Sequence, residues 1–515
     1  MKNHRPDTAS SAPADRAPGG AWLYLGTLAL ALGLTACANM GGIAPHAQLR
    51  APASVGLPSA ATGMPDEFPA ASTLDAQWWR GFGDPRLDGL VERALAGNPS
   101  LRLAQARIDK AQAQVEAADA NGRPRIDGQL DATRQHFSGN YIYPAPLGGS
   151  TRDIADGQVR GTWELDFFGR NRAALDASVG AGRAAEADAQ AARVLLAANV
   201  VRGYVQLSRL QAQLAVAERT LQQRDETLRI VRDRVDAGLD TRLELRQSEG
   251  GLPEARQQIE ALREQIALGR NALGALVGDP RSAQDLQAAP LETLRNPGIP
   301  ARLPADLLGR RADIVAARWR IEAADRDIAY AKTQFYPNIN LVAFAGLSSL
   351  GLDNFIDGRS RQWGIGPAIR LPIFEAGRLR ANLRGRTADY DAAVESYNGS
   401  LVDAVREVAD QVASSQSVVR QQQEQRNAQA AAESAYDIAR QRYQAGLGTY
   451  LQVLTAETGV LVQRRQAVDL AARALDAQVG LARALGGGYV ADAAAAAVPA
   501  GGAARSAAVA TAAVR

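Results

Sequence analysis

A chain of 515 residues has room for several domains or one elongated one. Its net charge of +3 makes no field that singles out nucleic acid, and a 5% aromatic share is low for one large globular core. Three histidines, His4, His46 and His136, have no cysteine or histidine at ligand spacing, which argues against a zinc site; the single cysteine, Cys37, excludes an internal disulfide.

The first 20 residues are polar and carry Arg5 and Arg16. An apolar run follows at 21–34, AWLYLGTLALALGL, of signal-peptide length and too short for a comfortable membrane span. It closes on Leu34-Thr35-Ala36-Cys37, which resembles the bacterial lipobox, in which the cysteine is acylated and becomes the first mature residue. A lipoprotein signal peptide over 1–36 and lipidation at Cys37 are expected; the other reading is a plain signal peptide and an incidental thiol. Ala38, in place of aspartate, implies no retention at the inner membrane. Residues 37–72, rich in Ala, Pro and Gly, read as a linker.

A first repeat is expected over 73–278. Trp78-Trp79-Arg80-Gly81-Phe82-Gly83-Asp84-Pro85 opens a helix over 85–95, which Asn98-Pro99 breaks. A second helix is predicted over 100–120, with Leu101, Ile108 and Val115 on one stripe. Beyond Pro124, Ile126, Gly128, Leu130 and Ala132 alternate with Asp127, Gln129, Asp131 and Thr133, the period of a strand. Residues 138–152 read as a loop. Val159, Gly161, Trp163, Leu165 and Phe167 then alternate with Arg160, Thr162, Glu164 and Asp166, and Gly169-Arg170 leads into a proline-free run to 236. Val200, Leu207, Leu214, Leu221, Leu228 and Val235 recur by sevens, a coiled-coil seam on a helix about 100 Å long at ~1.5 Å per residue. Gly238 stops it. A return helix over 241–277 carries Leu245, Leu252, Ile259, Ile266 and Leu273, with a kink expected at Gly250, Gly251 and Pro253.

A connector over 279–303 leads to a second repeat over 304–488. Ile314, Ile321 and Ile328 echo Leu101, Ile108 and Val115 at an offset of 213. Ile339, Leu341, Ala343 and Ala345 mark a strand, 348–361 a loop and 363–374 the last strand. There Trp363, Ile365, Ile369 and Ile373 share one face, and Gln362, Gly364, Gly366, Ala368 and Arg370 the other. Gly377-Arg378 follows Gly169-Arg170 by 208 residues, and Gly446 follows Gly238 by the same number. A Gln-rich helix is predicted over 378–445, and Leu454, Leu461, Val468 and Leu475 carry the last helix to Gly486-Gly487-Gly488. Residues 489–515 form an Ala-rich tail read as disordered.

Each half thus reads helix, strand, loop, strand, very long helix, return helix. Four strands leave two open edges, which cannot face lipid, and single-chain membrane barrels need about eight. With Trp363, Ile365, Ile369 and Ile373 toward lipid and the polar face toward water, several chains must pool strands; two would give eight and three would give twelve. A small soluble sandwich with helical stalks is the other architecture the pattern allows.

The residues that decide further are WWRGFGDPRLDGLV at 78–91, WELDFFGR at 163–170, RRADIVAARWRIEAA at 310–324, YPNINL at 336–341, LPIFEAGRLRA at 371–381 and ARALGGGY at 482–489. Through them the chain resembles the outer membrane factor family, the TolC/OprM/NodT group, over about residues 70–488. The resemblance implies a mainly α fold with a transmembrane β-barrel: two tandem repeats per chain, a homotrimer whose 12-stranded barrel lies in outer membrane lipid, and an α-helical coiled-coil tunnel across the periplasm. It implies a passive efflux channel for small toxic molecules or drugs, without a cofactor. The channel docks on a periplasmic adaptor (membrane fusion) protein and an inner-membrane transporter. A type I protein or peptide secretion duct and a structural coiled-coil lipoprotein are the alternatives. No nucleophile motif, metal cluster or phosphate loop points to an enzyme.

In this family the periplasmic end closes where each long helix turns into its return helix, here 235–249 and 443–457. Tyr443 and Leu451 match the family pattern as a gate tyrosine and a constricting apolar residue. Gln452 and Thr455 stand where relatives carry aspartate sometimes and commonly, respectively, which argues against an acidic ring in the second half. Arg242 and Glu244 are the first-half candidates. Ordinary solvated helix-end charges are the other reading of this set.

Overall fold

The computed structural model describes residues 40–51, 75–296 and 311–489. The segment 1–36 read as a signal peptide, Cys37, most of the expected linker, the end of the expected connector and the tail from 490 lie outside the described residues. The helices are α1 (Pro85–Gly97), α2 (Pro99–Asn121), α3 (Arg170–Asp236), α4 (Arg242–Val277), α5 (Ala312–Thr333), α6 (Arg378–Gln444) and α7 (Tyr450–Ala484). The strands are β1 (Arg125–His136), β2 (Thr151–Glu164), β3 (Asn338–Leu350) and β4 (Arg361–Arg370). The chain divides into two compact units.

The first unit, 119–174 and 327–388 with residues 40–45, holds one antiparallel sheet in the order β1-β2-β3-β4. Residues paired across an antiparallel ladder share a face. Ile126, Gly161, Ala343 and Ile365 form one row, and Gly128, Val159, Ala345 and Trp363 the next on that face. The opposite face carries the rows Asp127, Arg160, Phe344, Gly364 and Gln129, Gln158, Gly346, Gln362. No charged side chain interrupts the first face from the Ile339–Ile369 pair to the Ala345–Trp363 pair. Trp363 and Ile365 are 77% and 69% exposed on the single chain, an apolar surface that calls for a cover.

The strands depart from the sequence pattern at their ends. β2 begins at Thr151, inside the stretch read as loop. Its residues on the apolar side there are Asp153, Ala155 and Gly157, which give no large-apolar alternation to detect. β4 ends at Arg370 because its partner Asn338 is the first residue of β3. Ile373 is therefore off the ladder, a correction to the set expected to share the apolar face; Pro372 before it also has no N–H to donate. Trp363, Ile365 and Ile369 lie on the ladder and share a face. Gly169 and Gly377, with φ of 75° and 85°, take the left-handed turns that end the strand segments. Each leads into a helix of 67 residues.

Among the described residues of 46–118, 175–326 and 389–489, the second unit is helical. Val200, Leu207, Leu210, Ala217, Leu228 and Val231 of α3 are buried, as are Leu252, Ile259, Ile266 and Leu273 of α4. α4 includes Pro253 within its span, and Arg224 of α3 donates to the Gly251 carbonyl (2.9 Å). Against α7, α3 is tied by Arg202–Asp476 (3.2 Å) and Arg209–Asp469 (2.8 Å), one heptad apart. The core also takes in Trp78, Trp79 and Phe82, and from the connector Ala283, Ala288, Leu291 and Leu294. The Tyr204 hydroxyl holds this junction: it donates to Asp84, which caps α1, and accepts from the Ala289 amide (2.9 Å). A second core packs Ile314 and Ile321 of α5 on Val394, Leu401 and Val408 of α6 and on Leu481 of α7.

The face assignment makes a sided prediction. Arginine at mid-depth on a lipid-facing strand costs ~2–4 kcal/mol, and less near either interface. Ile365→Arg should sharply cut the protein recovered assembled in the membrane fraction, whereas Gln362→Arg, on the other face of β4, should leave recovery near wild type. Equal recovery of the two variants refutes the assignment.

Candidate functional site

The two helix-to-helix turns are built alike. α3 and α6 each stop at a left-handed glycine, Gly238 (φ 71°) and Gly446 (φ 74°). The return helices then start on matching caps. Thr241 forms a capping box with Glu244: the Thr241 amide donates to the Glu244 carboxylate (3.0 Å) and the Leu243 amide to the Thr241 hydroxyl (3.1 Å). Thr449 and Gln452 occupy the equivalent positions, with the Thr449 amide donating to Gln452 Oε1 (3.3 Å). Hydrogen bonds from Thr241, chiefly, hold the Glu244 carboxyl below its ordinary pKa. Two candidates from the sequence, Glu244 and Gln452, are thus engaged in capping. Arg242 is exposed on the first turn of α4, and Leu451 is 66% exposed on the first turn of α7. The Thr455 hydroxyl donates to the Leu451 carbonyl (2.8 Å), a bond internal to α7.

Tyr443 has a different environment. It is 1% exposed and packs with Val231, Tyr436, Tyr450, Val453 and Val460 from α3, α6 and α7. The Tyr443–Tyr450 ring centroids are 6.0 Å apart. Its hydroxyl donates to Asp240, in the turn of the other half. Arg234, at the end of α3, pairs with Asp240 (2.9 Å), donates to the Tyr443 carbonyl (3.1 Å) and sets its guanidinium 4.7 Å from the centre of the Tyr443 ring. One arginine therefore grips the tyrosine by ring and backbone, and one carboxylate accepts from both. The Arg234 and Asp240 side chains are largely buried, so the pair is poorly screened. Burial opposes the Asp240 charge, but the hydrogen bonds from Arg234 and Tyr443 outweigh it and hold the pKa below the ordinary 3.8. Burial first, and then the bond to Asp240, push the Tyr443 phenol up.

Arg234 and Asp240 were not singled out from the sequence. Their signal is an arginine six residues before an aspartate across a helix-stopping glycine. The second half lacks it, since Gly448 stands 208 residues after Asp240, and Arg442 donates instead to the Leu447 carbonyl (3.2 Å).

Comparison with known proteins fits this architecture. The family model described as outer membrane efflux protein matches residues 90–279 and 303–487, one segment in each repeat. The chain is 38% identical to the fusaric acid resistance protein FusA of Burkholderia cepacia over 372 residues, 71% of this chain and 69% of that protein. It is 32% identical to the multidrug resistance outer membrane protein MdtP of Escherichia coli K12 over 459 residues, 87% of this chain and 92% of that one. Among solved structures, the outer membrane protein VceC of Vibrio cholerae superposes with a TM-score of 0.75 at 37% identity, covering 81% of this chain and 100% of its own. The outer-membrane channel OprN gives 0.75 at 28% identity, covering 84% and 98%. The chain belongs to the outer membrane efflux protein family.

Proposed function

We propose that the chain is the outer membrane duct of a tripartite efflux system. Three copies pool their strands into a 12-stranded barrel, and the long helices continue it as a periplasmic tunnel. The duct is passive; an inner-membrane transporter supplies the energy through a periplasmic adaptor. The observation that carries this reading is the sheet of four strands with one apolar face, one polar face and two open edges. Such a sheet suits hydrocarbon only when copies close its edges. Relatives named for fusaric acid and multidrug resistance favour small organic toxicants as cargo. The lipoprotein reading of Cys37 gains support from the stretch after it. Gly41 accepts from Arg380 in the first turn of α6 (3.1 Å). Farther on, Asp391 accepts from the His46 and Ala47 amides (both 3.0 Å). The N-terminal segment is thus held against the helix that leaves β4.

The gate, in this reading, is the pair of turns, and the Arg234–Asp240–Tyr443 link is its latch. Leu451, exposed beside it, supplies the apolar constriction where three copies meet, and Arg242 and Glu244 border it. Planar-bilayer recording of the purified protein tests the whole. Wild type should show a small closed-state conductance. Asp240→Asn and Leu451→Ser should each raise it several-fold, and Thr455→Ala should leave it unchanged. An absent pore rules out the duct, and a pore indifferent to Asp240→Asn rules out the latch.

The latch also has a pH signature. A carboxylate whose folded pKa lies below 3.8 contributes fully above that value and loses its contribution as pH falls through the folded pKa. Closed-state conductance should be flat from about pH 5 to 8 and rise only below about pH 4. In Asp240→Asn the acid-induced rise should vanish.

For the anchor, Cys37→Ser should abolish acylation while part of the protein still reaches the membrane as trimer, because the barrel inserts on its own account. Recovery of the unacylated variant wholly as soluble monomer contradicts the barrel.

A further inference from the structure

A cavity of about 600 Å³ opens in the first unit where β2, β3 and β4 give way to helices. Its wall includes Glu164, Asn338, Asn340, Ala368 and Arg370 on the polar face of the sheet, with Ile339 and Ile369 of the apolar face at its end. Its volume falls in the range of small-molecule sites. Most polar groups around it are already engaged. Arg170 stands 3.7 Å from Glu164, with its guanidinium 5.7 Å from the centre of the Tyr330 ring. Arg378 is paired with Glu375 (2.6 Å). Asp166 accepts from the Arg172 amide (2.9 Å). Asn340 donates to Asn338 (2.5 Å), and Gln334 accepts from Asn382 (2.9 Å).

Arg370 differs. Among the described residues its side chain makes no hydrogen bond or ion pair, so the cavity presents one uncommitted cation. Its wall also presents a flat apolar element, Phe168 stacked on Tyr336 with centroids 5.0 Å apart and planes 10° from parallel. Both rings are partly exposed, 43% and 40%. An unpaired guanidinium matches a carboxylate in a forked, two-bond geometry, and an exposed ring face matches a planar ring. We propose that this cavity is a way-station for planar aromatic carboxylates in transit, with Arg370 taking the carboxylate and Phe168 and Tyr336 the ring. The inference rests on the duct reading, which makes the polar face of the sheet the lumen. A conduit profits from such a site only if binding is weak enough to release.

The test uses the full-length protein in detergent, with 2-naphthoate as probe and uncharged 2-naphthamide as its control. Saturable 2-naphthoate binding is expected, about tenfold weaker in Arg370→Gln, intermediate in Arg370→Lys, which keeps the charge but not the fork, and kept in Arg361→Gln, which removes a charge at the far end of β4. Equal affinity of wild type and Arg370→Gln, or equal affinity for naphthoate and naphthamide, overturns the proposal. The same proteins in a planar bilayer separate the two readings. Brief current interruptions by 2-naphthoate, lost in Arg370→Gln, support transit, and an uninterrupted current despite Arg370-dependent binding overturns it. A wild type that conducts nothing overturns the duct reading, while the binding series still decides what the cavity takes.

Discussion

Four strands cannot finish a sheet in a membrane. β1 and β4 each leave a row of backbone N–H and C=O groups unpaired, and in hydrocarbon each such group costs several kcal/mol. No arrangement within one chain removes that cost while Ile126, Val159, Trp363 and Ile365 remain on one face. Folding and assembly are thus one process for this half of the molecule. The edge that would drive aggregation in a soluble protein is here the bonding surface of the proposed trimer. The sheet's short corners follow from the same demand. Gly169 and Gly377 close the short segments 165–169 and 371–377 with left-handed turns that lead each strand into a long helix.

The second unit meets a different demand, that of holding very long helices in register. Leucine and isoleucine by sevens supply adhesion but repeat too evenly to fix one register. Arg202–Asp476, Arg209–Asp469 and Arg224–Glu457 (3.0 Å) supply what the apolar seam lacks, since a one-heptad slip either way would leave a carboxylate opposite only one of the three arginines. All three join α3 of the first repeat to α7 of the second. The repeats are therefore clasped to each other rather than merely set in tandem. Arg224 is also shared with Glu254 of α4 (3.1 Å), so one side chain reads both return helices.

Periodicity made the long elements legible. Heptads and glycine stops placed α3, α4, α6 and α7 closely, because a helix of 67 residues averages its signal over many turns. What stayed hidden was local or cross-chain. The connector showed no period, yet Ala288, Leu291 and Leu294 are core, since a few apolar residues without a period carry no signature of burial. β2 was half missed because small residues suffice on the apolar side at Ala155 and Gly157. Resemblance drew attention to Tyr443, Leu451, Gln452 and Thr455, but not to Arg234 and Asp240, whose meaning depends on a contact across some 200 residues. Glu244 was visible as a charge, but its engagement with Thr241 needed the geometry.

The two halves of the repeat are not equally firm, and this decides where a latch is needed. α4 buries Leu252, Ile259, Leu262, Ile266 and Leu273 along its length. The middle of α6 meets α7 through glutamine instead: Gln425 donates to the Gln463 carbonyl (2.7 Å) and Gln422 to the Leu470 carbonyl (3.4 Å). A buried hydrogen bond nets about 1 kcal/mol, less than the 2–5 kcal/mol lost when a core leucine or isoleucine is truncated to alanine, and it yields to water more readily. Local opening should accordingly concentrate where glutamines join the middle of α6 to α7. Tyr443 sits at the end of that softer pair, and what restrains it comes from the firmer one, from Arg234 and Asp240 of the first half. Gly448, lacking the carboxylate of Asp240, leaves the second half without such a clasp of its own. A single link from Arg234 and Asp240 to Tyr443 thus ties the glutamine-joined pair to the pair with the apolar seam.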